Sequence, residues 1–417
     1  MCERSPNRRL ASGDYPAAVT AETTTSQAGG ALAGIRVLEA GLLVQGPQAA
    51  ATLGDWGADV IKIELPVFGD QSRWLPAAPG DGRAPFFIAC NRGKRSITID
   101  LRRPEGRETF LRLAESADVF ISNFKSGTLD DWGLSYDDVS ARNPRIIYAA
   151  GTSFGTLGAD AGREGADLSA QAAGGLIAGT GADGAPITPV AVTICDHIAC
   201  LNLVGGISAA LYARERTGRG QRIDVSLLGG QVWAQASEIT AAMFTGASAG
   251  RSNQGHPLIP GVYGVFPTLD GWIAIVGVAG PDRARFYDVV GRADLIERFA
   301  QPLYFGETKR EVFAELSETF STRSTADWCA LLTEHSLRHA PVRDYAGVIA
   351  DPGVWENGYL TRTADGDPVV ASAVRFSGTP ARTGEVAPEL GQHTEEVLLE
   401  HDFTWDDITA LRDAAAI

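Results

Sequence analysis

Asp196 stands at the mouth of a long apolar run, within AVTICDHIACLNLVGGISAALYARERTGRGQRIDVS from Ala191 to Ser226. The run continues through Leu201, Leu203, Val204, Ile207 and Leu211, so a helix here sends its first turn into a core. A carboxylate at that depth has to be paired, hydrogen-bonded or used in chemistry. One reading makes Asp196 an N-cap that satisfies the orphan amides of the helix start; the other makes it an active-site acid. Helix logic alone favours the cap. Asp167, in GREGADLSAQAAGG, precedes another helical run and divides between the same two roles.

Other strings are weaker. Gly151-Thr152-Ser153-Phe154-Gly155 matches the G-x-S-x-G elbow of serine hydrolases and follows a strand-like run. An elbow must open into a helix, whereas TLGADAGREG is loop-like, so two glycines that permit a turn explain the string better. The turn GLLVQGPQAA could aim its amides at an anionic group, but it lacks the G-x-G-x-x-G of a dinucleotide site, and the chain has no Walker loop. Between Cys90 and Arg112 lie Arg92, Lys94, Arg95, Arg102, Arg103, Arg107 and Arg112, against Asp100, Glu105 and Glu108. Such a basic island is either a solvated helix face or a site for a small phosphorylated ligand.

The chain as a whole carries a net charge of −15, which argues against general nucleic-acid binding. Cys2, Cys90, Cys195, Cys200 and Cys329 form no C-x-x-C pair and no zinc-spaced cluster, which fits a reduced, cytoplasmic setting and no metal centre. No apolar h-region opens the chain, and Asn202 with two glycines interrupts the apolar run after Asp196, so neither a signal peptide nor a membrane span is expected.

The elements that must position these residues alternate. Ile35 to Glu39, Asp59 to Glu64, Ser96 to Leu101, Asp118 to Ser122 and Arg145 to Ala150 read as strands; Pro47 to Trp56, Pro104 to Ser116 and Tyr136 to Ala141 read as helices. This order implies an α/β fold with a mostly parallel sheet covered on both faces. Beyond Ser226 the pattern changes. Gly261 to Val278 reads as two strands around an Asp-Gly turn, followed by helices at about 281–299, 309–320 and 325–334, as in a smaller α+β domain. The expected organisation is a disordered leader over 1–30, a large domain over 31–228, a small domain over 229–339, and a return to the large domain over 340–417.

GIRVLEAG, VQGP, LGDWGADVIKIE, GDQSRW, NRGKRSITIDLRRPEGRE, ADVFISNF, NPRIIYAAGTSFG, GREGADLSAQA, ARERTGRGQRIDVSLL, YGVFPTLDGWIAI, APVRDYAGVIADP, RFSGTPAR and LGQHTEEVL occur in that order over residues 34 to 398. Together they resemble the class III CoA-transferases, also called the CaiB/BaiF or family III acyl-CoA transferase family. The resemblance implies a Rossmann-like large domain, a smaller α+β domain and an interlocked homodimer in which each chain threads a ring made by its partner. It implies transfer of CoA from an acyl-CoA to a free carboxylic acid through an aspartyl-CoA thioester, with Asp196 as the nucleophile. Coenzyme A is then a substrate moiety, and no permanently bound cofactor, metal, nucleic acid or membrane partner is implied.

The same resemblance places CoA against Val44 and Gln45, Ile99 and Arg102, and Asn123 and Phe124, with Arg102 and Lys125 free to pair with phosphates. Gln45 and Gly46 become candidate donors to a developing oxyanion, and Asp167 a possible secondary acid. Departures from the family pattern are Asp131 and Leu65, where relatives carry basic residues, and Cys195, where Gly or Ala is usual. Trp233, Met243 and Tyr263 are pocket walls or plain core. The α-methylacyl-CoA racemases share the fold but pair an Asp with a His that would stand at Ala166, and no His precedes His197. A racemase and a non-catalytic CoA-binding relative are the alternatives.

Overall fold

The computed structural model describes residues 29–280, 282–300, 306–382 and 384–417. The leader expected over 1–30 lies, apart from its last two residues, outside them. Six strands form one parallel sheet: β1 (Arg36–Ala40), β2 (Asp59–Glu64), β3 (Arg95–Thr98), β4 (Val119–Ser122), β5 (Ile147–Thr152) and β6 (Gln221–Ser226). Their order is β3-β2-β1-β4-β5-β6, the doubly wound arrangement, with its switch point between β1 and β4.

Alternate residues of these strands feed two cores. On one face Val37, Val60, Val119, Ile121 and Ile147 meet Ala49, Ala50 and Leu53 of α1 (Gln45–Asp55). Cys200, Leu203, Val204 and Ile207 of a long helix, Ile194–Thr217, complete that core. On the other face Leu38, Ile61, Ile97, Phe120 and Tyr148 pack on Phe110 and Leu113 of helix Pro104–Ala114 and Val139 of helix Tyr136–Arg142. Val397, Leu398, Ile408 and Leu411, from helices Thr394–Glu400 and Trp405–Asp413, close it. The α/β class and parallel sheet expected from the alternation are both present.

Several local expectations need correction. α1 begins at Gln45 rather than Pro47, so proline is its third residue. Helix Ile194–Thr217 runs unbroken through Asn202, Gly205 and Gly206, and by length and hydropathy it is long and apolar enough to cross a membrane. Its inner face is instead sheet core, and a Cβ at Gly206 would sit 3.2 Å from Ile223 of β6, a contact only tight packing produces. β6 is absent from the strands expected above because QRIDVS has only two apolar residues and no buried one; it pairs with β5 on one side only, as an edge strand.

Residues 29–174, 191–234 and 351–417 make one compact unit, and residues 175–190 and 235–350 another. The second holds an antiparallel sheet of Val262–Pro267, Trp272–Val278 and His339–Pro341. Phe266, Ile273, Phe286, Phe313, Phe320 and Trp328 fill its core. The helix expected near 281–299 is two helices, Asp282–Val289 and Asp294–Arg298, separated at Gly291 with φ +76°.

Under the carboxyl ends of β1 and β2 lies a buried charge network. Lys62 Nζ is 3.2 Å from Glu39 Oε1 and 2.9 Å from Asp70 Oδ2, with all three side chains inaccessible. It also donates to the Gly41 carbonyl at 3.0 Å. Lys94 Nζ donates to Glu39 Oε2 at 3.0 Å, to the Pro47 carbonyl at 2.8 Å and to Asn91 Oδ1 at 2.7 Å. Two ammonium groups and two carboxylates balance, so removing one leaves an uncompensated charge. Glu39→Gln is therefore expected to lower unfolding free energy by about 3–5 kcal/mol in urea titrations. Arg142→Ala, which breaks exposed pairs with Glu108 and Glu115, should leave the midpoint essentially unmoved.

Candidate active site

Asp196 is the third residue of the long helix, which we label α2 (Ile194–Thr217), and Thr193 occupies the N-cap without a side-chain cap. The N-cap reading of Asp196 is thus corrected: its carboxylate has no hydrogen-bond or ion-pair partner among the described residues. The capping comes from elsewhere. Asp167, buried at the start of helix Asp167–Ala173, accepts from the Cys195 amide at 2.7 Å and more weakly from the Asp196 amide at 3.4 Å through Oδ1. Its Oδ2 receives the Gln171 side-chain amide at 2.6 Å.

Burial first, and then the negative charge of Asp167, push the half-buried Asp196 carboxyl up to about 7. His197 does not offset this, because burial pushes its imidazole down. Its Nδ1 lies against Gln48 Oε1 and its Nε2 is 3.3 Å from Thr193 Oγ1. Gln48 is on α1, so this contact brings the first turns of α1 and α2 together. Cys195 is fully buried with Sγ 3.1 Å from Gln231 Oε1, which makes it a packing residue.

The α1 end is open where the α2 end is filled. Val44 is its buried N-cap and gives no side-chain cap, and Pro47 has no N–H. Gln45 is buried and its Nε2 has no hydrogen-bond partner among the described residues. A Cβ at Gly151 would lie 2.7 Å from Gln45 Cδ, so the first glycine of the G-x-S-x-G string makes room for this side chain. Ser153 Oγ donates to the Gly165 carbonyl at 2.9 Å and no helix follows until Asp167, so the elbow reading fails. Gly46 packs against Asn123, where a Cβ would be 3.4 Å away.

Asn123 spans the switch point. Its Oδ1 accepts from the Leu42 amide and its Nδ2 donates to the Leu42 carbonyl, both at 2.8 Å, so its side chain is spent on holding the β1–α1 turn. Beside it, outside the carboxyl ends of β1 to β4, is a cleft of about 400 Å3 lined by Leu65, Trp74, Ile99, Arg102, Phe124 and Trp132 among others. Phe124 and Trp132 meet edge to face at 5.5 Å.

Ile99, Arg102 and Phe124 therefore share one cleft, and Val44, Gln45 and Gly46 follow from its Gly41–Leu42 rim. Lys125 is half exposed, 3.9 Å from Glu164. Leu65 is a cleft wall, and Asp131 is exposed on the short helix Thr128–Asp131. Sequence reasoning missed Trp74 and Trp132, whose signal was an aromatic residue in the loop after an apolar strand. Trp233 and Met243 are mostly exposed rather than core, and Tyr263 is partly buried.

The basic island is largely neutralised by the fold. Arg92 pairs with Asp55, Lys94 with Glu39, and Arg95 with Asp59 and Glu400. Arg102 Nη2 is 2.7 Å from Asp100 Oδ2, yet its side chain stays more than half exposed at the cleft rim.

Residues 32–394 match the model of CoA-transferase family III. The chain is 35% identical to a succinate–glutarate CoA-transferase from Agrobacterium fabrum, over 88% of this chain and 95% of that protein. It is 33% identical to the succinyl-CoA–L-malate CoA-transferase beta subunit of Chloroflexus aurantiacus, over 88% and 93%. A crystal structure of a CaiB/BaiF family protein from Brucella suis superposes with a TM-score of 0.80 at 33% identity, over 90% of this chain and all of that one. The doubly wound sheet and these matches agree: the chain belongs to CoA-transferase family III and is a CoA-transferring enzyme.

Proposed function

We propose that the enzyme exchanges CoA between two short dicarboxylic acids, with Asp196 as the carrier of the thioester. The single observation behind the Asp196 assignment is an unpartnered carboxylate, raised to about 7, beside the open first turn of α1. The substrate class is supported by the relatives, whose names pair succinate or succinyl-CoA with glutarate or L-malate.

In the first step the Asp196 carboxylate adds to the thioester carbonyl and the tetrahedral oxyanion collapses with loss of CoA thiolate, giving a mixed anhydride. The thiolate then attacks the aspartyl carbonyl, forming the aspartyl-CoA thioester and releasing the donor acid as its carboxylate. The acceptor carboxylate repeats both steps in reverse order. One carboxylate enters and one leaves, so neither ATP nor a redox partner is needed. The amides of Gln45 and Gly46 with Gln45 Nε2 stabilise the oxyanion. Ile99 and Phe124 flank the adenine, Arg102 and Lys125 meet phosphate groups, and Val44 and Asn123 shape the turn between them.

A racemase would need a proton-transferring base facing the α-carbon, and Ala166, where that histidine would stand, supplies none. We also assign a homodimer and a cytoplasmic setting. Leu201 and Tyr212 on α2 and Trp233 on helix Leu227–Ala234 are 63–70% exposed, apolar or aromatic surface of the kind that associates. The described cysteines are all free thiols.

Incubation with succinyl-CoA, followed by borohydride reduction or hydroxylamine capture and peptide mass analysis, should mark the peptide that carries Asp196. Asp196→Asn should lose both adduct and transfer, and a mutant that still transfers CoA would remove this mechanism. Only the carboxylate is nucleophilic, so kcat/KM for the acyl-CoA should rise with pH through about 7 and then level. Asp167→Asn removes the charge that raises Asp196 but keeps an acceptor for Cys195, so its limb should move to lower pH. Sedimentation equilibrium should report a dimer, weakened by Leu201→Glu.

A further inference from the structure

Asp70 is a fully buried group that the transfer chemistry above does not use. It lies between β2 and β3 and reaches across to the β1–α1 turn. Oδ1 accepts from the Leu43 amide at 3.1 Å and from the amide and hydroxyl of Ser72 at 2.8 Å each; Oδ2 is 2.9 Å from Lys62 Nζ. Burial opposes ionisation, but the Lys62 charge and the Ser72 and Leu43 amides outweigh it and hold the carboxyl below its ordinary value.

Leu43 has φ +63°, a left-handed conformation that leucine rarely takes. Such a residue persists where its surroundings over-determine it. On one side Leu42 is held by both ends of the Asn123 amide; on the other, the acceptor of the Leu43 amide is Asp70. Val44, Gln45 and Gly46 follow directly, so the dihedral at Leu43 decides where the first-turn amides of α1 point. Asp70 also caps the short turn Gln71–Trp74, and Gln71 and Trp74 line the cleft.

We propose that Asp70 is a positioning residue for CoA transfer: by accepting the Leu43 amide it keeps that residue left-handed and so aims the α1 amides at the reacting carbonyl. The proposal rests on the assignment of those amides to the oxyanion. Its consequence is a defect in the step that forms the oxyanion, with acyl-CoA binding left intact.

The test is single-turnover formation of the Asp196 adduct from succinyl-CoA, with the rate taken per adduct-forming site so that partial unfolding does not count. Asp70→Ala should slow adduct formation by about 100-fold, the scale of a small misplacement at a reacting centre, with half-saturation by succinyl-CoA unchanged. Asp70→Asn keeps an acceptor for Leu43 and should retain most of the rate. Because Asp70→Ala strands the Lys62 ammonium, the paired variant Asp70→Ala with Lys62→Met restores neutrality and should show the same slow step. A wild-type rate in either alanine variant, or an Asn variant as slow as alanine, overturns the positioning role. Transfer that survives in Asp196→Asn overturns the assignment beneath it instead, so the two failures are distinct.

Discussion

The structure depends on Glu39 being shared between two buried lysines. Glu39 is the penultimate residue of β1, one of the two central strands of the sheet, and its two oxygens hold Lys62 of β2 and Lys94 just before β3. Each lysine then spends a further N–H on a backbone carbonyl at the edge of the β1–α1 turn, Lys62 on Gly41 and Lys94 on Pro47. The turn is thereby tied to charges that water cannot reach or screen. Gly41 shows how tight the fit is, because a Cβ there would stand 2.5 Å from Glu39 Oε1. Well-packed apolar side chains would cost less to bury. What the charges add is direction: an ammonium fixes carbonyls on both sides of the turn, which a leucine in the same volume does not.

The same economy explains why Asp196 titrates high. A carboxylate in the first turn of a helix is ordinarily stabilised by free amides and the helix dipole, which pull its pKa down. Here Asp167 takes the amides of Cys195 and Asp196, and brings a second negative charge beside them. The helix terminus is satisfied, yet the Asp196 carboxylate gains nothing from it. Desolvation then dominates, and the carboxylate stays poorly stabilised and basic. An aspartate acting only as a cap would show the opposite pattern.

Much of this was legible in the sequence. The alternation of strand-like runs such as DVFIS and RIIYAA with helices carries the sheet, because strands buried on both faces are predominantly apolar. Asp196 stood out because charge is rare in an apolar helix. What was hidden depended on partners distant in the chain. The basic island read equally as a solvated helix face or a phosphate site because Asp55, Asp59, Glu39 and Glu400 lie far from it in sequence while sitting beside it in space. Asn123 looked like a ligand contact, since nothing in ISNF announces that both ends of its amide belong to Leu42. Asp167 divided in the sequence between a cap of its own helix and an active-site acid, whereas in space it accepts from the first amides of another helix. Periodicity reports which face is buried, and it says nothing about which buried polar group meets which.

The two helix starts divide the chemistry between them. At α2 the amide donors are consumed by Asp167, so negative charge on Asp196 is destabilised in the resting enzyme. At α1 Pro47 removes one donor and Val44 offers no cap, and the Gln45 side-chain amide nitrogen has no partner among the described residues. In the proposed mechanism, attack by Asp196 would move charge from the carboxylate oxygen onto the former carbonyl oxygen. The charge would then leave a place where the protein disfavours it for the donors proposed at the start of α1. The contact between His197 and Gln48 keeps these two ends adjacent, and a neutral imidazole is the right group for the purpose. A cation there would meet the charge of Asp167 and so weaken the electrostatic contrast between the two helix starts.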